Sequence, residues 1–215
     1  MTATGTATTA SPDSAGTRAR LVDVAEELFA TQGIAAVSLR MVGQRAGQKN
    51  NSAAQYHFGS KLGLVNAIID SRSAVIEQRR RQLLEEAATP ADLSTLVTLM
   101  IVPLAESIDD PSRSRFYLRF LANAVHDPAL REAWLAEPRP SQSTLRQVQR
   151  DIGRLLPDLP RKVFERRLDW SARISLRILA DHEELRHAER PSAPGTELVV
   201  RELVEMQVAL LRCPV

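Results

Sequence analysis

Apolar positions along this chain recur at helical intervals, and no stretch alternates apolar and polar residues as a half-buried strand would. Near the N-terminus, Leu21, Ala25 and Leu28 fall on one face of a helix predicted over residues 17–31. The same spacing continues in longer segments through the rest of the sequence. The pattern therefore predicts an all-α protein.

Residues 38–61, SLRMVGQRAGQKNNSAAQYHFGSK, have the pattern of two short helices joined by a glycine turn. Ser38 can cap the first helix by accepting from a free backbone N–H group. Gly47 can end it, because glycine adopts the left-handed backbone at little cost. A polar run follows, then small and aromatic residues up to Gly59. This order is typical of a helix-turn-helix, whose second helix lies in the major groove of DNA.

The remaining segments also predict helices. Ser60 can cap a fourth helix that runs to about residue 87, which would make it roughly 42 Å long. Its arginines at 79–81 are interpreted as a solvated or salt-bridged face rather than a second DNA contact. Further helices are predicted over residues 92–108 with a kink at Pro103, 111–126, from Pro128 to a break at Pro138 and Pro140, 143–156, 161–187, and from a Thr196 cap to near the C-terminus. The last of these is apolar nearly all round, which predicts packing against a second subunit.

Together with the helix before it, the helix-turn-helix stretch resembles the DNA-binding domain of the TetR family of bacterial transcriptional repressors. The resemblance covers about residues 17 to 65, and it is carried by Arg18, Leu21, Ala25, Leu28, Phe29, Gly33, Ser38, Ala46, Gly47, Tyr56, Phe58, Lys61 and Leu64. Three features depart from the family pattern: one extra residue between Gly47 and Phe58, Gln55 at the place of the usual tyrosine, and Leu62 in place of a glutamate.

The resemblance implies an all-α homodimer with a helix-turn-helix domain at residues 17–62 and a helical effector-binding and dimerisation domain at 63–215. Residues 1–16 are predicted to be a disordered arm from their composition, which is rich in Thr, Ala, Ser and Gly. The implied function is repression from a palindromic operator with half-sites about one DNA turn, ~34–36 Å, apart. A small molecule in the C-terminal domain would move the fourth helix and release the DNA.

Twelve residues are candidates for DNA contact. The base-reading candidates are Asn50, Asn51, Ser52, Gln55, Tyr56 and His57, since amides pair well with adenine and hydroxyls reach several bases. The other candidates, mostly for phosphates, are Thr17, Arg18, Ser38, Arg40, Lys49 and Lys61. Alternatives stay open: Asn51 or Ser52 could simply cap the helix, Tyr56 and His57 could bind phosphate, and Thr17 and Arg18 could be solvated.

Polar and aromatic residues on the apolar helices of the second domain are candidates for a ligand pocket. They are Arg113, Tyr117, Asn123, His126, Trp134, Trp170 and Arg173, with His182 as a further member. Each of them taken singly could be an ordinary core or surface residue. The run from Asp181 to Glu184 invites a metal hypothesis, but neighbouring residues point in different directions around a helix, which favours a solvated face.

Composition and charge agree with a regulator. The formal charge is +2, and residues 1–61 carry the whole excess, six basic against four acidic, as phosphate binding requires. The single Cys213 excludes an internal disulfide and fits a reducing cytoplasm. No apolar run approaches the ~20 residues of a membrane span. Phosphate-loop, nucleophile-elbow, metalloprotease and dinucleotide motifs are lacking, so we expect no enzyme activity and no cofactor.

The sequence therefore predicts a cytoplasmic protein whose partners are double-stranded operator DNA, a small-molecule effector and a second copy of itself through the last two helices. The alternative is a helical small-molecule-binding or interaction protein, or an enzyme, with only vestigial DNA binding. Binding of a palindromic duplex would distinguish the two hypotheses.

Overall fold

The computed structural model describes residues 12–50, 52–87, 89–110, 114–136, 142–191 and 193–215, without the side chains of 12, 13 and 134–136. Within these ranges the regular structure is α-helical and contains no strand, which confirms the predicted all-α class. The helices are α1 Pro12–Gln32, α2 Leu39–Arg45, α3 Ala53–Phe58, α4 Lys61–Glu86, α5 Leu93–Ala105, α6 Tyr117–His126, α7 Pro128–Ala136, α8 Ser143–Leu155, α9 Arg161–His187 and α10 Thr196–Arg212.

The first hydrophobic core joins α1, α2 and α3 to the N-terminal half of α4 and to α6. Phe29 of α1 lies against Phe120 of α6, with ring centroids 6.2 Å apart. These three helices alone enclose too little apolar surface to be stable, and α4 and α6 supply the rest. The helix-turn-helix domain is thus packed directly onto the second domain rather than tethered to it.

The second core lies among α5, α6, α8, α9 and α10, and it includes Leu96, Leu118, Ile152, Leu179 and Leu203. Helix α6 contributes to both cores, and so does the region around Leu104 at the end of α5. Because the two cores share α6 and the end of α5, a movement of one of these helices in the second domain also displaces side chains in the core of the helix-turn-helix domain.

The predicted helix ends in the helix-turn-helix are confirmed. The Ser38 hydroxyl accepts from the Met41 N–H at 3.2 Å, and the Ser60 hydroxyl accepts from the Gly63 N–H at 3.0 Å. Gly47 has φ 74°, and the backbone bond from Gln48 N–H to the Gly43 carbonyl closes α2 in a Schellman motif. The turn between α2 and α3 then spans residues 46–52.

Three helix starts differ from the sequence-based expectation. Helix α1 begins at Pro12, so residues 12–16 of the predicted arm are helical, and residues 1–11 lie outside the described residues. Proline is tolerated there because the first helical N–H has no partner within the helix. Helix α6 begins at Tyr117 rather than at Pro111, which lies outside the description.

Thr196 is the third difference, because it is the first residue of α10 rather than its cap. Its hydroxyl donates to the Asp109 carboxylate at 2.5 Å and lies 3.0 Å from the Nε2 atom of His182. The N-cap position is held by Gly195, one residue earlier, and the Thr196 hydroxyl instead joins α10 to the segment after α5.

Two predicted solvated faces are partly buried. Of the arginines at 79–81, Arg79 forms a surface ion pair with Glu106, but Arg80 is buried. In the run from Asp181 to Glu184, His182 and Glu183 are buried, because α9 packs between α6 and α10. Sequence spacing alone does not show that two different helices pack against opposite sides of a long helix.

Burial of Glu183 makes the stability of the fold depend on pH. Burial raises the pKa of this carboxyl from 4.5 to about 8, against hydrogen bonds from the Arg119 and Leu118 N–H groups and the charge of Arg119. The folded state therefore holds the proton more tightly than the unfolded chain. The contribution of this carboxyl to the free energy of unfolding is fully present below pH 4.5 and is lost as the pH rises to about 8.

We predict that Glu183→Gln flattens the pH dependence of the free energy of unfolding between pH 5 and 8, since glutamine has no charge to bury. Urea unfolding at several pH values measures the slope in wild type and variant. The matched control is Glu184→Gln, because the neighbouring Glu184 side chain is 63% exposed. Identical slopes in wild type and Glu183→Gln would contradict the assignment.

Gly63, in the first turn of α4, packs against the backbone of α3. A Cβ atom at this position would collide with the carbonyl oxygen of Phe58. We predict that Gly63→Ala destabilises the protein by about 1–3 kcal/mol, because backbone atoms must shift to admit the methyl group. Gly16→Ala in α1 is the control: its Cβ meets no atom within 4 Å, and alanine favours the helix by about 0.5–1 kcal/mol. Thermal unfolding of both variants tests the difference.

Candidate nucleic-acid interface and ligand cavity

The turn before α3 and the outer face of α3 form a continuous polar surface. Its exposed members are Lys49, Asn50, Ser52, Gln55 and Tyr56, with His57 half-buried beside them. Asn51 lies outside the described residues. The Tyr56 ring is 84% exposed, although large aromatic side chains are usually covered. The structure therefore brings the predicted base-reading residues that it describes together on one side of a short helix.

The front of α3 is stabilised by Asn50. Its side-chain oxygen accepts from the Ser52 N–H at 2.9 Å, and its backbone carbonyl accepts from the Ala53 N–H at 3.1 Å. The Ser52 hydroxyl makes no capping bond, so Ser52 does not take the capping role that the sequence left open. The Gln55 amide donates to the Gly59 carbonyl, which holds this side chain along its own helix in the absence of DNA.

Two of the predicted phosphate contacts hold α3 in place. The Lys61 ammonium donates to the carbonyls of Ile34 and Ala35 at 2.8 and 3.2 Å. The Arg18 guanidinium lies over the Phe58 ring, 5.2 Å from its centroid. The first contact ties the start of α4 to the loop after α1, and the second ties the end of α3 to α1 itself. An ammonium has three N–H donors, so Lys61 keeps one for another acceptor.

The remaining candidates are arranged around this surface. Arg40 and Lys49 are exposed, Thr17 is half-buried on α1, and the Ser38 hydroxyl is engaged as the cap of α2. Sequence reasoning did not single out Arg20, whose Nε atom donates to the Ala46 carbonyl at 2.8 Å and closes the end of α2. Its position directly before the first core residues, Leu21 and Val22, was the available signal.

A cavity of about 460 Å³ lies between α4, α5, α6, α8 and α9. Its apolar lining is Ile69, Ile76, Met100, Ile101, Leu104, Leu121, Val125, Leu145, Ala172 and Leu176. Its polar lining is Ser73, Glu77, Arg80, Tyr117, Gln142, Arg146, Gln149 and Ser175. This size and this mixture of side chains are typical of a small-molecule site.

Of the predicted ligand-binding residues whose side chains the structure describes, Tyr117 alone lines this cavity. The Asn123 amide instead donates to the carbonyls of Phe29 and Ala30 at 2.8 and 3.1 Å, which joins α6 to the end of α1. The His126 Nδ1 atom lies 2.7 Å from the Ala122 carbonyl, on the same open side of α6 as Asn123.

The other predicted ligand residues lie elsewhere. Trp170 is on the exposed side of α9 beneath Arg166, and Arg173 pairs with Asp169 at 2.9 Å on the same helix. Arg113 and the Trp134 side chain lie outside the description. His182 is buried between α9 and α10, with a pKa lowered chiefly by burial.

Helix α4 supplies polar cavity residues that the sequence analysis missed. Ser73, Glu77 and Arg80 follow one another at i, i+4 and i+7, so they share the face of Ile69 and Ile76. This spacing was the signal: polar residues placed at core positions of an amphipathic helix indicate a buried polar group or a cavity.

Glu77 and Arg80 form a buried ion pair in the cavity wall. The second carboxylate oxygen of Glu77 accepts from the N–H groups of Thr144 and Leu145 at 3.0 and 3.4 Å, at the N-terminus of α8. The Arg80 Nε atom donates to the Leu99 carbonyl at 3.0 Å. Burial lowers the pKa of Arg80 to about 10, which leaves it charged at neutral pH. The pair thus joins α4, α5 and α8.

Two other kinds of site are not seen in the described part of the chain. None of its helices combines the length and the apolar character that crossing a membrane requires. None of its His, Cys, Asp and Glu side chains gather in a group of three that could hold a metal ion.

Comparison with known families identifies both halves of the chain. Residues 21–68 match the model described as bacterial regulatory proteins, tetR family, and residues 98–209 match the model described as tetracyclin repressor-like, C-terminal domain. No curated protein sequence matches the chain.

Solved structures share the fold at low sequence identity. NalD, the secondary repressor of the MexAB-OprM multidrug efflux pump in Pseudomonas aeruginosa, is 20% identical with a TM-score of 0.58, over 92% of this chain and 96% of NalD. A putative TetR-family regulator from Rhodococcus sp. is 16% identical with a TM-score of 0.51, over 91% and 99% of the two chains. SmeT, a repressor from Stenotrophomonas maltophilia whose structure was solved in complex with triclosan, is 19% identical with a TM-score of 0.50, over 90% of both chains.

We predict that two lysines of the helix-turn-helix domain respond differently to removal. Lys49→Ala should leave the melting temperature unchanged, weaken binding to every duplex, and lower the slope of log affinity against log salt by about one, because Lys49 is exposed beside α3. Lys61→Ala should also lower the melting temperature, because two backbone carbonyls lose their donor. Thermal unfolding and salt titrations of DNA binding measure both effects. Equal melting temperatures for the two variants would refute the structural role of Lys61.

Proposed function

The chain belongs to the tetR family of bacterial regulatory proteins and is a DNA-binding transcriptional regulator, and we propose that it is a repressor released from a palindromic operator by a small molecule. In this proposal the exposed face of α3 and the turn before it read the DNA, and the cavity between α4 and α9 takes the effector. The proposal includes action in the cytoplasm, where the operator is, and no enzymatic turnover.

The observation that carries the proposal is the course of α4. The helix begins beside α3, with Ser60 as its cap, and Arg72 in its middle pairs with Glu26 and Asp23 of α1 at 3.0 and 2.9 Å. Its next turns line the cavity through Ser73, Ile76 and other residues of the same face. A molecule that displaces this part of α4 therefore also moves the ion pairs that hold α1.

A second route to the DNA-binding domain runs through α6. Tyr117 and Ile76 line the cavity and also a neighbouring cleft in which Arg72 lies. Two turns farther along α6, Asn123 binds the carbonyls at the end of α1. A ligand in contact with Tyr117 thus has a packed connection to the C-terminal half of α1, at Asp23 and Glu26 through Arg72 and at Phe29 and Ala30 through Asn123. A coupling of ~1–3 kcal/mol through these contacts would change operator affinity 5- to 150-fold.

Homodimer formation through α9 and α10 is part of the proposal. Among the described residues, these helices carry half of the large apolar side chains that are exposed in the single chain: Trp170, Ile174, Leu185, Leu198 and Met206. Exposed large apolar side chains concentrated on two neighbouring helices favour a subunit interface there. A twofold axis through it would present two copies of α3 in opposite directions, which is why we expect a palindromic operator.

The direction of regulation is inferred from similar proteins. NalD and SmeT are described as repressors of multidrug efflux pumps, and SmeT has been crystallised with triclosan. Their structural similarity to this chain at low sequence identity shows a common fold. The genes that this chain regulates and its effector are to be identified by experiment. Repression relieved by a ligand is the simplest mechanism consistent with a cavity on the helix that supports the DNA-binding domain.

We predict that selection of random duplexes on the purified protein yields a palindrome whose half-sites are about one DNA turn, ~34–36 Å, apart. Gln55→Ala should then cost ~1–3 kcal/mol on the selected sequence and little on unrelated DNA, since an amide discriminates among bases. Competition binding with selected and scrambled duplexes measures this ratio.

The matched control for Gln55→Ala is Gln32→Ala, a glutamine-to-alanine change at the exposed end of α1, away from the α3 surface. Sequence-blind, salt-sensitive binding alone would contradict the proposal. It would favour the alternative that the long turn at residues 46–52 has left the protein with only vestigial DNA binding.

A further inference from the structure

The two buried charges in the cavity wall are already occupied by partners within the protein. One oxygen of Glu77 binds Arg80, and the other accepts from two backbone N–H groups of α8. Arg80 also donates to the Leu99 carbonyl. A charged ligand would have to break this arrangement to use either group. Breaking a buried ion pair leaves an uncompensated charge, which is strongly unfavourable.

Ser73 lies one helical turn before Glu77 on the same wall of the cavity. Unlike those of Glu77 and Arg80, its side chain has no partner within the described part of the protein. Its residue is only 6% exposed, and its oxygen has no hydrogen-bond partner among the described residues. Leaving a buried hydroxyl unpaired is costly, and a ligand that supplies a donor or an acceptor recovers the loss. Of the described residues that line the cavity, Ser73 is therefore the one with a buried polar atom that has no partner within the protein.

The remaining surface of the cavity favours an apolar molecule. Ten of its lining residues are aliphatic or methionine side chains, contributed by five helices. Moving a charge into such surroundings without a counter-charge is heavily penalised. Arg146 is the other cation of the lining, but it is only partly buried and already takes part in an interaction of its own.

We propose that the effector is an uncharged, mainly apolar molecule, of the size of two or three rings, with one hydrogen-bonding group that pairs with the Ser73 hydroxyl. This inference rests on the proposed function, in which the cavity is the effector site. Because Ser73 belongs to α4, the same hydrogen bond places the ligand against the helix that carries Arg72.

The test compares two probes that share a skeleton and differ in charge, together with a cation of a different ring system. N-phenyl-1-naphthylamine is uncharged, 8-anilino-1-naphthalenesulfonate adds a sulfonate to the same rings, and ethidium is a planar cation. Fluorescence titration of the full-length protein should show at least about tenfold tighter binding of the uncharged probe, from the cost of burying an unpaired charge. Ala172→Phe, which fills the cavity from α9, should abolish this binding.

The role of Ser73 is tested by displacing the bound naphthylamine with 2-hydroxybiphenyl or with biphenyl. Ser73→Ala should weaken 2-hydroxybiphenyl about 2- to 10-fold, as one neutral hydrogen bond predicts, and should leave biphenyl unchanged or tighter. Ser71→Ala is the matched control, since the Ser71 hydroxyl donates to the Ile68 carbonyl of its own helix at 2.7 Å.

The outcomes separate this inference from the function on which it rests. Tighter binding of the sulfonate or of ethidium in the same cavity, lost in Ala172→Phe, would overturn the uncharged class, as would equal effects of Ser73→Ala on both competitors. Binding of 2-hydroxybiphenyl that depends on Ser73 supports the class. If that bound molecule leaves operator affinity unchanged, the class stands and the proposed release mechanism fails.

Discussion

The ion pair between Glu26 and Arg72 is the interaction on which the arrangement of the two domains depends. Glu26 lies in α1 with only 1% of its surface exposed, and it is also bonded by the Ser114 hydroxyl. Burial raises the pKa of Glu26 to about 7, against the opposing effect of Arg72. Removing Arg72 would leave a buried carboxyl without its partner, which is far costlier than the loss of a surface pair. The first helix of the DNA-binding domain therefore has one favourable position on α4.

The same physical principle recurs at the other helix crossings. The pair of Glu77 and Arg80 fixes α4 against α5 and α8, and buried Glu183 of α9 accepts from the backbone of α6 beside Arg119. Hydrophobic contacts tolerate small rotations, whereas hydrogen bonds to a buried charge require definite distances and angles. These pairs lie around the cavity and at the boundary of the DNA-binding domain, where a ligand has to produce a defined movement rather than a general loosening.

Much of the fold could be predicted because its signals are local. Ser38 and Ser60 cap their helices as expected, and Gly47 and Gly59 end theirs with positive φ, since each of these properties depends on a few neighbouring residues. The polar surface of α3 was also recognisable, because its residues are consecutive. The ligand candidates were harder: Tyr117 lines the cavity, but Asn123 binds α1, and Trp170 is on the outer side of α9. The sequence pattern around such a residue is the same whether it lines a cavity, binds a neighbouring helix or lies on the surface.

The sequence by itself determined the all-α class, the positions of the short helices around the glycine turn, and the membership in a family of DNA-binding regulators, since these follow from helical periodicity, capping residues and a motif of adjacent residues. Only the tertiary structure decided that Lys61 binds the carbonyls of Ile34 and Ala35, that Arg80 and Glu183 are buried, and that Ser73 faces a cavity. The reason is that each of these facts is created by helices distant in sequence. Burial and partner choice depend on which faces those helices cover, and a periodic pattern along one helix does not contain that information.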